Sequence, residues 1–377
     1  MSLPARSQGE PPGAQREGAL LRHLMVVAAG TGGHVMPGLA VAEALRARGW
    51  SVSWLGTRAG LERQWVEPRG IAFDAIDFSS LRGKGMKTLL FGGFHLLRAL
   101  WQSRALVRAR KPRAMFSTGG YVAVPAGMAA STLGVPLIVL NSDAAPLMSN
   151  SMLRPLASAV LCGFDGVAAQ RAGAKGEVTG NPVRAEISQI RSPEHRFAGR
   201  AGPLQLLVIG GSLGARVLNE NVPRALALIA ADQRPVVVHQ CGAAHVESVR
   251  AQYQALGVHA EVVAFIDDMP TRYALADVVV CRAGAITISE LAVAGVASVL
   301  VPLIVSTTSH QRDNAEYMAA HDAAIHLPQA GLTAQVLADL LRDLTRARLL
   351  LIAQAARSIG RPDATERVAA AIERVAA

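Results

Sequence analysis

The sequence predicts an α/β protein of two doubly wound parallel-sheet domains facing each other across a cleft. Three observations carry that prediction. A strand, a glycine turn and a helix open the chain, and the same order recurs near its middle. Short apolar runs alternate with amphipathic stretches through both halves. Hydrophobic residues make up 51% of the 377 residues but aromatics only 4%, and the Ala, Val, Leu and Gly that fill the gap suit close helix–sheet packing. A chain of this length has room for two cores.

Residues 1–22 are rich in Pro, Gly, Gln, Glu and Arg and lack an apolar h-region, so they read as a disordered tail rather than a secretory signal. The first domain is expected over 23–187. Its opening run Leu24-Met25-Val26-Val27-Ala28-Ala29 meets Gly30-Thr31-Gly32-Gly33, and a helical pattern follows over 37–48. Strands are expected at 51–55, 114–117 and 137–140. The polar segment 188–203, punctuated by Pro193, Gly199, Gly202 and Pro203, is expected to be the linker. The second domain, 204–360, repeats the opening with a strand at 204–209, the turn Gly210-Gly211-Ser212-Leu213-Gly214 and a helix over 215–230. Strands at 236–240, 261–265, 278–281 and 299–301 follow, and 361–377 is expected to be a helix that packs back on the first domain. Such alternation implies parallel, right-handed winding, with ligands at the carboxyl ends of the strands and one substrate for each domain.

The formal charge of +10 favours a polyanionic partner (nucleic acid, an acidic membrane or phosphorylated substrates), or it reflects the basic solvated surface of an Arg-rich chain. Cys162, Cys241 and Cys281 are far apart and show no ligand spacing, which supports neither a disulfide framework nor a zinc site and fits a reducing compartment. No stretch approaches the ~18 apolar residues that span a bilayer, so membrane contact is expected to be peripheral.

Glycine turns that feed helices aim backbone amides at an anion, where the helix dipole adds its field. A dinucleotide site would need a third glycine where Val35 stands and an acid after the next strand. The first half has Gly56-Thr57 there and the second His239-Gln240-Cys241, so nicotinamide cofactors are excluded, as is a P-loop. A further anion candidate is the run from Arg282 to Glu290. Gly284 is read as permitting a tight turn, the amides of Ala285, Ile286 and Thr287 as holding a diphosphate, and the Glu290 carboxylate as accepting both hydroxyls of a ribose. Taken alone, these residues leave Glu290 equally readable as a first-turn acid that complements the dipole.

Together the motifs resemble the MurG family, the N-acetylglucosaminyltransferases of peptidoglycan synthesis that convert lipid I to lipid II. The residues that carry the resemblance are Gly30-Thr31-Gly32-Gly33-His34, Leu81-Arg82-Gly83-Lys84-Gly85, Gly119-Gly120-Tyr121-Val122, Gly180-Asn181-Pro182-Val183-Arg184, Gly210-Gly211-Ser212, Phe265-Ile266-Asp267-Asp268-Met269, Gly284-Ala285 with Thr287 and Ser289-Glu290, and Pro362-Asp363-Ala364-Thr365-Glu366. It spans residues 23–377 and implies a GT-B fold of two Rossmann-like domains. The second half would bind UDP-N-acetylglucosamine, with Glu290 on the ribose, the Ile266 backbone on the uracil, Ser212 and Ala285–Thr287 on the diphosphate, Arg184 and Met269 beside the nucleotide, and Gln311 and Asn314 at the sugar. Thr31, Gly32 and Gly33 would border the donor from the other side. The acceptor's diphosphate would lie on Gly32, Gly33, His34, Gly120 and Tyr121.

The resemblance implies inverting transfer to the C4 hydroxyl of lipid I; the sequence has no metal-ligand cluster or Asp-x-Asp donor motif, so neither a bound metal nor a cofactor is expected. His34 is the candidate base, because it sits at a strand-end turn and imidazole titrates near neutrality; bracing the turn or donating to the diphosphate are its alternative roles. The chain departs from the family on the sugar side. Asn141-Ser142-Asp143-Ala144 stands where the family has His-Glu-Gln-Asn, His310-Gln311 where it has Gln-Gln, and Leu213 where it has Gln. A catalytic role for the family's Glu must move to Asp143 or be dropped. These departures keep open another GT-B enzyme (a glycolipid transferase or a UDP-GlcNAc 2-epimerase) and a non-catalytic membrane-docked UDP-binding protein.

Nine basic residues and no acid lie between Leu81 and Arg113, among them Lys84, Lys87 and Arg98, with Leu90, Phe94, Leu97 and Trp101 at helical spacing. A polyprenyl acceptor favours reading this segment as a contact with an anionic membrane; a core-facing stripe with a solvated basic back is the other reading. The partners implied are UDP-N-acetylglucosamine, lipid I, an anionic membrane surface at the cytoplasmic face of the bacterial inner membrane, and cell-wall synthesis or division proteins. Nucleic acid is not among them, since no stacking platform is present.

Overall fold

The computed structural model describes residues 22–30, 32–58, 60–78, 86–211, 213–303 and 309–377, with the side chains of 86–92 outside that description. Two all-parallel sheets form. The first contains β1 (His23–Ala28), β2 (Ser51–Thr57), β3 (Ala72–Ile76), β4 (Ala114–Gly119), β5 (Leu137–Asn141), β6 (Ala159–Cys162) and β7 (Gly176–Val178), in the order β3-β2-β1-β4-β5-β6-β7. The second contains β8 (Gln205–Ile209), β9 (Val236–Gln240), β10 (Glu261–Val263), β11 (Val278–Cys281), β12 (Ser298–Leu300) and β13 (Ile325–His326), in the order β10-β9-β8-β11-β12-β13. In both, strand order reverses beside the first strand, between β1 and β4 and between β8 and β11. Each sheet therefore has one switch point, where chains leaving neighbouring strands diverge and open a crevice.

The central strands β4, β5, β11 and β12 are buried throughout because helices cover both faces. Leu24, Val26 and Ala28 face one layer of core, while Met25 and Val27 face the other. The first helix, Gly32–Ala47, begins five residues before the pattern at 37–48 suggested, so Gly32, Gly33 and His34 form its first turn. Pro37 lies inside this helix, where it removes the N–H that would bond the Gly33 carbonyl. β3, β6, β7 and β13 were not among the expected strands; β7 and β13 have only three and two residues, too few to show periodicity.

Segment 188–203, expected to be the linker, packs on the second domain. It contains a helix, Pro193–Phe197, and Phe197 packs with Leu206 and Val208 in the second core. Arg196 is buried, and its guanidinium donates to the carbonyls of Ala294 and Gly295 at the end of the helix Ala285–Ala294. Burial pulls its pKa down to about 10. Val183, Ile187 and Ile190 already pack with Ile288 and Leu291, so the transition between cores begins before residue 188.

The last helix, Ala364–Ala376, lies on the first helix and buries Val368, Ala369 and Ile372 in the first domain's core. Glu366 and Glu373 pair with Arg48, and Arg113 donates to the Ala376 carbonyl at 2.7 Å. The chain thus ends on the domain where it began.

Candidate active site

The turn after β1 and the turn after β4 flank the first switch point. Gly30 (φ +107°) and Gly120 (φ +84°) adopt backbone conformations that favour glycine, and a Cβ on Gly120 would strike the Ala29 carbonyl. This close approach brings Gly32, Gly33, His34, Gly120 and Tyr121 together at one strand end. A Cβ on Gly32 would meet nothing within 4 Å among the described residues. Thr31 lies outside the described residues.

His34 is clamped to the end of β4. Its Nδ1 lies 2.9 Å from the Thr118 carbonyl, and the Thr118 hydroxyl donates to the His34 carbonyl at 2.6 Å. A carbonyl only accepts, so Nδ1 carries the proton and Nε2 keeps its lone pair. Burial draws the imidazole below its usual pKa, the Asp143 carboxylate and the Thr118 carbonyl pull the other way, and His310 adds to the lowering. The ring therefore stays neutral at pH 7, with an unprotonated nitrogen available.

The second switch point lies between the turn after β8 and the start of the helix Ala285–Ala294. No side chain caps that helix start, where the amides of Ala285, Ile286 and Thr287 face the crevice. Gly284 is not there to permit a turn: its φ of −67° and ψ of 139° suit any residue, and an added Cβ would meet only Thr287 Oγ1, at 3.8 Å. Ser212 lies outside the described residues.

Glu290 is buried one turn further along. Its Oε1 accepts from Nε (3.0 Å) and Nη2 (2.9 Å) of Arg184, and its Oε2 accepts from the Tyr273 hydroxyl at 3.3 Å. Burial raises its pKa, and Arg184 and Tyr273 oppose the rise. Spacing alone predicts an open carboxylate. The structure gives an ion pair with a residue of the crossover, which ties the donor-side helix to the chain linking the two domains. The Ile266 side chain is buried, while its backbone N–H and C=O take no partner among the described residues. Met269 begins the following helix, Met269–Leu275, capped by Asp268 through the Thr271 amide at 3.2 Å.

Asn314, expected at the sugar, is instead fully buried. Its carbonyl accepts from the Ala144 amide (2.9 Å), and its NH2 donates to the Asp143 carboxylate (2.8 Å) and the Ala283 carbonyl (3.0 Å). It fastens the loop after β5 to the second domain. Asn141 shapes that loop by donating to the carbonyls of Asp143 and Ala145. Gln311 accepts from the Leu303 amide at 2.9 Å. Leu213, in place of the family's Gln, stands 80% exposed.

The helix Met86–Arg110 buries Ala99, Ser103 and Val107 and exposes Phe94 (67%), Leu97 and Trp101 (68%), so the aromatic stripe does not face the core. Part of its basic complement is neutralised, because Arg98 pairs with Asp77 at 2.7 Å and Arg110 with Asp74 at 2.8 Å. Lys84 and the side chains of Lys87 and Leu90 lie outside the described residues. Among the described residues no helix is long and apolar enough to cross a membrane.

Sequence reasoning missed Glu62, Thr57, Thr118 and Gln240. Gln240 accepts from the amides of Gly210 and Gly211, both at 3.1 Å, and so holds the second-half turn. Sequence inspection finds only a missing acid at that position.

Residues 24–162 match the glycosyltransferase family 28 N-terminal domain and residues 205–375 its C-terminal domain. The UDP-N-acetylglucosamine--N-acetylmuramyl-(pentapeptide) pyrophosphoryl-undecaprenol N-acetylglucosamine transferase of Methylibium petroleiphilum is 57% identical over 359 residues, 94% of this chain and 98% of that protein. The protein of the same name from Herminiimonas arsenicoxydans is 54% identical over 94% of this chain and 99% of its own length. The crystal structure of Acinetobacter baumannii MurG superposes with a TM-score of 0.80 at 35% identity, over 94% of this chain and 99% of that one.

Proposed function

This chain belongs to glycosyltransferase family 28, and on that premise we propose that it transfers N-acetylglucosamine from UDP-N-acetylglucosamine to the C4 hydroxyl of the muramyl sugar of undecaprenyl-pyrophosphoryl-MurNAc-pentapeptide, giving lipid II. The observation that carries this reading is the uncapped helix start at Ala285–Thr287, opposite the glycine turns of the first domain, with the Glu290–Arg184 pair one turn behind it. Two anion-receptive turns on facing domains suit two diphosphates, one on each substrate.

In this reading the acceptor's C4 oxygen attacks C1 of the α-linked sugar. The C1–O bond to the β-phosphate breaks, its electron pair leaves with UDP, and the hydroxyl proton passes to Nε2 of His34. One in-line displacement inverts the centre to β. The amides of Ala285, Ile286 and Thr287, at the end of a dipole worth about half a positive charge, stabilise the charge that develops on the leaving diphosphate. The ribose takes Glu290, which exchanges its Tyr273 bond for a sugar hydroxyl, and the uracil takes the free backbone of Ile266. Asn314 acts on the sugar pocket through Asp143 rather than by touching the sugar.

The exposed Phe94–Leu97–Trp101 stripe supports peripheral contact with an anionic bilayer at the cytoplasmic face of the inner membrane, where a polyprenyl-linked acceptor resides. The deciding assay incubates the full chain with UDP-N-acetylglucosamine, with and without a lipid I analogue. Acceptor-dependent UDP release with a β-linked disaccharide product is the expected result. Release that ignores the acceptor, free epimerised sugar, or UDP binding without turnover would overturn the reading.

A further inference from the structure

Glu62 is fully buried beneath the first-half glycine turn and has no part in the reaction described above. It begins the loop's short helix, Arg63–Val66, yet its side chain turns back toward the strand ends. Oε1 accepts from the Thr57 amide (2.7 Å) and the Thr57 hydroxyl (2.8 Å), and Oε2 accepts from the Gly30 amide at 3.4 Å. With the Thr57 proton committed to Glu62, the Tyr121 hydroxyl is the donor in its 3.4 Å contact with Thr57 Oγ1. One carboxylate thus links the end of β1, the end of β2 and the turn after β4. The space it fills exists because two neighbours lack a Cβ: one on Gly56 would lie 2.9 Å from Oε1, and one on Gly60 would collide with Oε2.

The second half shows what a neutral group does in the same place. Gln240 accepts from two glycine amides, and each N–H of its own amide has a carbonyl partner, Gly211 or Ala264, at 2.9 Å. Among the described residues the Glu62 carboxylate accepts from three donors. An amide there would set its NH2 against an N–H donor, that of Gly30 or that of Thr57, in either orientation.

We propose that Glu62 is the positioning residue of the acceptor site: it draws the Gly30 amide inward and holds Tyr121 through Thr57, which leaves the amides of Gly32, Gly33 and His34 aimed at the incoming diphosphate. The proposal rests on the reading that this turn receives the acceptor. An inward Gly30 amide sets the left-handed kink from which the first helix begins, so the carboxylate acts on the ligand through the backbone and does not touch it.

The test is steady-state kinetics of the full-length chain with each substrate varied in turn, alongside UDP affinity and thermal midpoint. Glu62→Gln is expected to raise the acceptor KM about tenfold, the size of one lost charged hydrogen bond, with donor KM and UDP affinity within about twofold. Gly32→Pro provides the control. Proline fits the first position of a helix and removes the Gly32 N–H, so it too is expected to raise the acceptor KM. An unchanged acceptor KM in Glu62→Gln alone overturns the role of Glu62 while sparing the acceptor reading. No change in Gly32→Pro overturns both. Equal rises in donor and acceptor KM, or a lowered midpoint with both KM values unchanged, would reduce Glu62 to a structural residue and also overturn the proposal.

Discussion

In the first half, the amide at the end of β1 is held by a carboxylate from the loop beyond β2; in the second, the amides at the end of β8 are held by the side-chain amide of Gln240 at the end of β9. The topology is the same, but the polar groups to be satisfied differ. In the first turn the holding carboxylate takes an N–H donor, and the helix starts at once at Gly32. In the second, carbonyls and amides alternate, Gly214 packs against the Cys241 carbonyl, and the helix starts only at Arg216. A repeated fold therefore does not repeat its ligand chemistry. In the second half the bare helix start lies across the switch point, after β11. The proposed division of labour follows, with acceptor diphosphate on the first turn and donor diphosphate beyond β11.

That division can be broken by variants that should affect one half only. The largest effect is expected from His34→Ala, which should lower kcat roughly 100- to 10,000-fold while leaving UDP-N-acetylglucosamine affinity within about twofold. A fall in donor affinity with turnover intact would move His34 out of the base role. The pH profile sharpens the point: because the His34 pKa is lowered, the free base dominates at neutrality, and the acid limb of kcat/KM that His34 controls should lie below pH 6.5.

A second asymmetry concerns acid stability. His239 stands beside Val208 in the pairing register, on the face covered by the helix Arg216–Ala227, and on the corresponding face the first half has Trp54 beside Val26. It is fully buried between Tyr253 and Asn219, and burial pushes its pKa down to about 4. The unfolded chain takes the proton first, so stability should fall as pH drops from 6.5 toward 4, by roughly 3 kcal/mol in all. Urea unfolding across that window should show the slope, and His239→Leu should flatten it. An unaltered slope in that variant would assign the acid sensitivity to other groups.

Glu290→Ala should weaken UDP binding about 10- to 100-fold by calorimetry and leave the acceptor KM unchanged, since it removes a ribose acceptor and strands Arg184. Unchanged affinity would remove Glu290 from the ribose. The smallest effect is expected from Phe94→Glu combined with Trp101→Glu. Binding to phosphatidylglycerol vesicles should fall about tenfold, with turnover of a water-soluble acceptor intact. Equal vesicle binding by the variant would place the membrane contact elsewhere.

The sequence by itself determined the two βα openings, their glycine turns, the parallel winding and the helix start after Val278–Cys281. Each is written in short-range spacing: runs of buried β-branched residues, a glycine between strand and helix, apolar residues at helical intervals. Tertiary structure alone decided the rest. Glu62 meets Gly30 across 32 positions, and Asn314 meets Asp143 across 171; no local pattern marks either pair. The same holds for Arg184 on Glu290, for Phe197 in the second core, and for the outward face of Phe94 and Trp101. Local periodicity fixes which elements form and which residues share a face. Which polar group satisfies a buried amide, and which apolar stripe stays uncovered, depends on what the other elements bring alongside once the chain has closed.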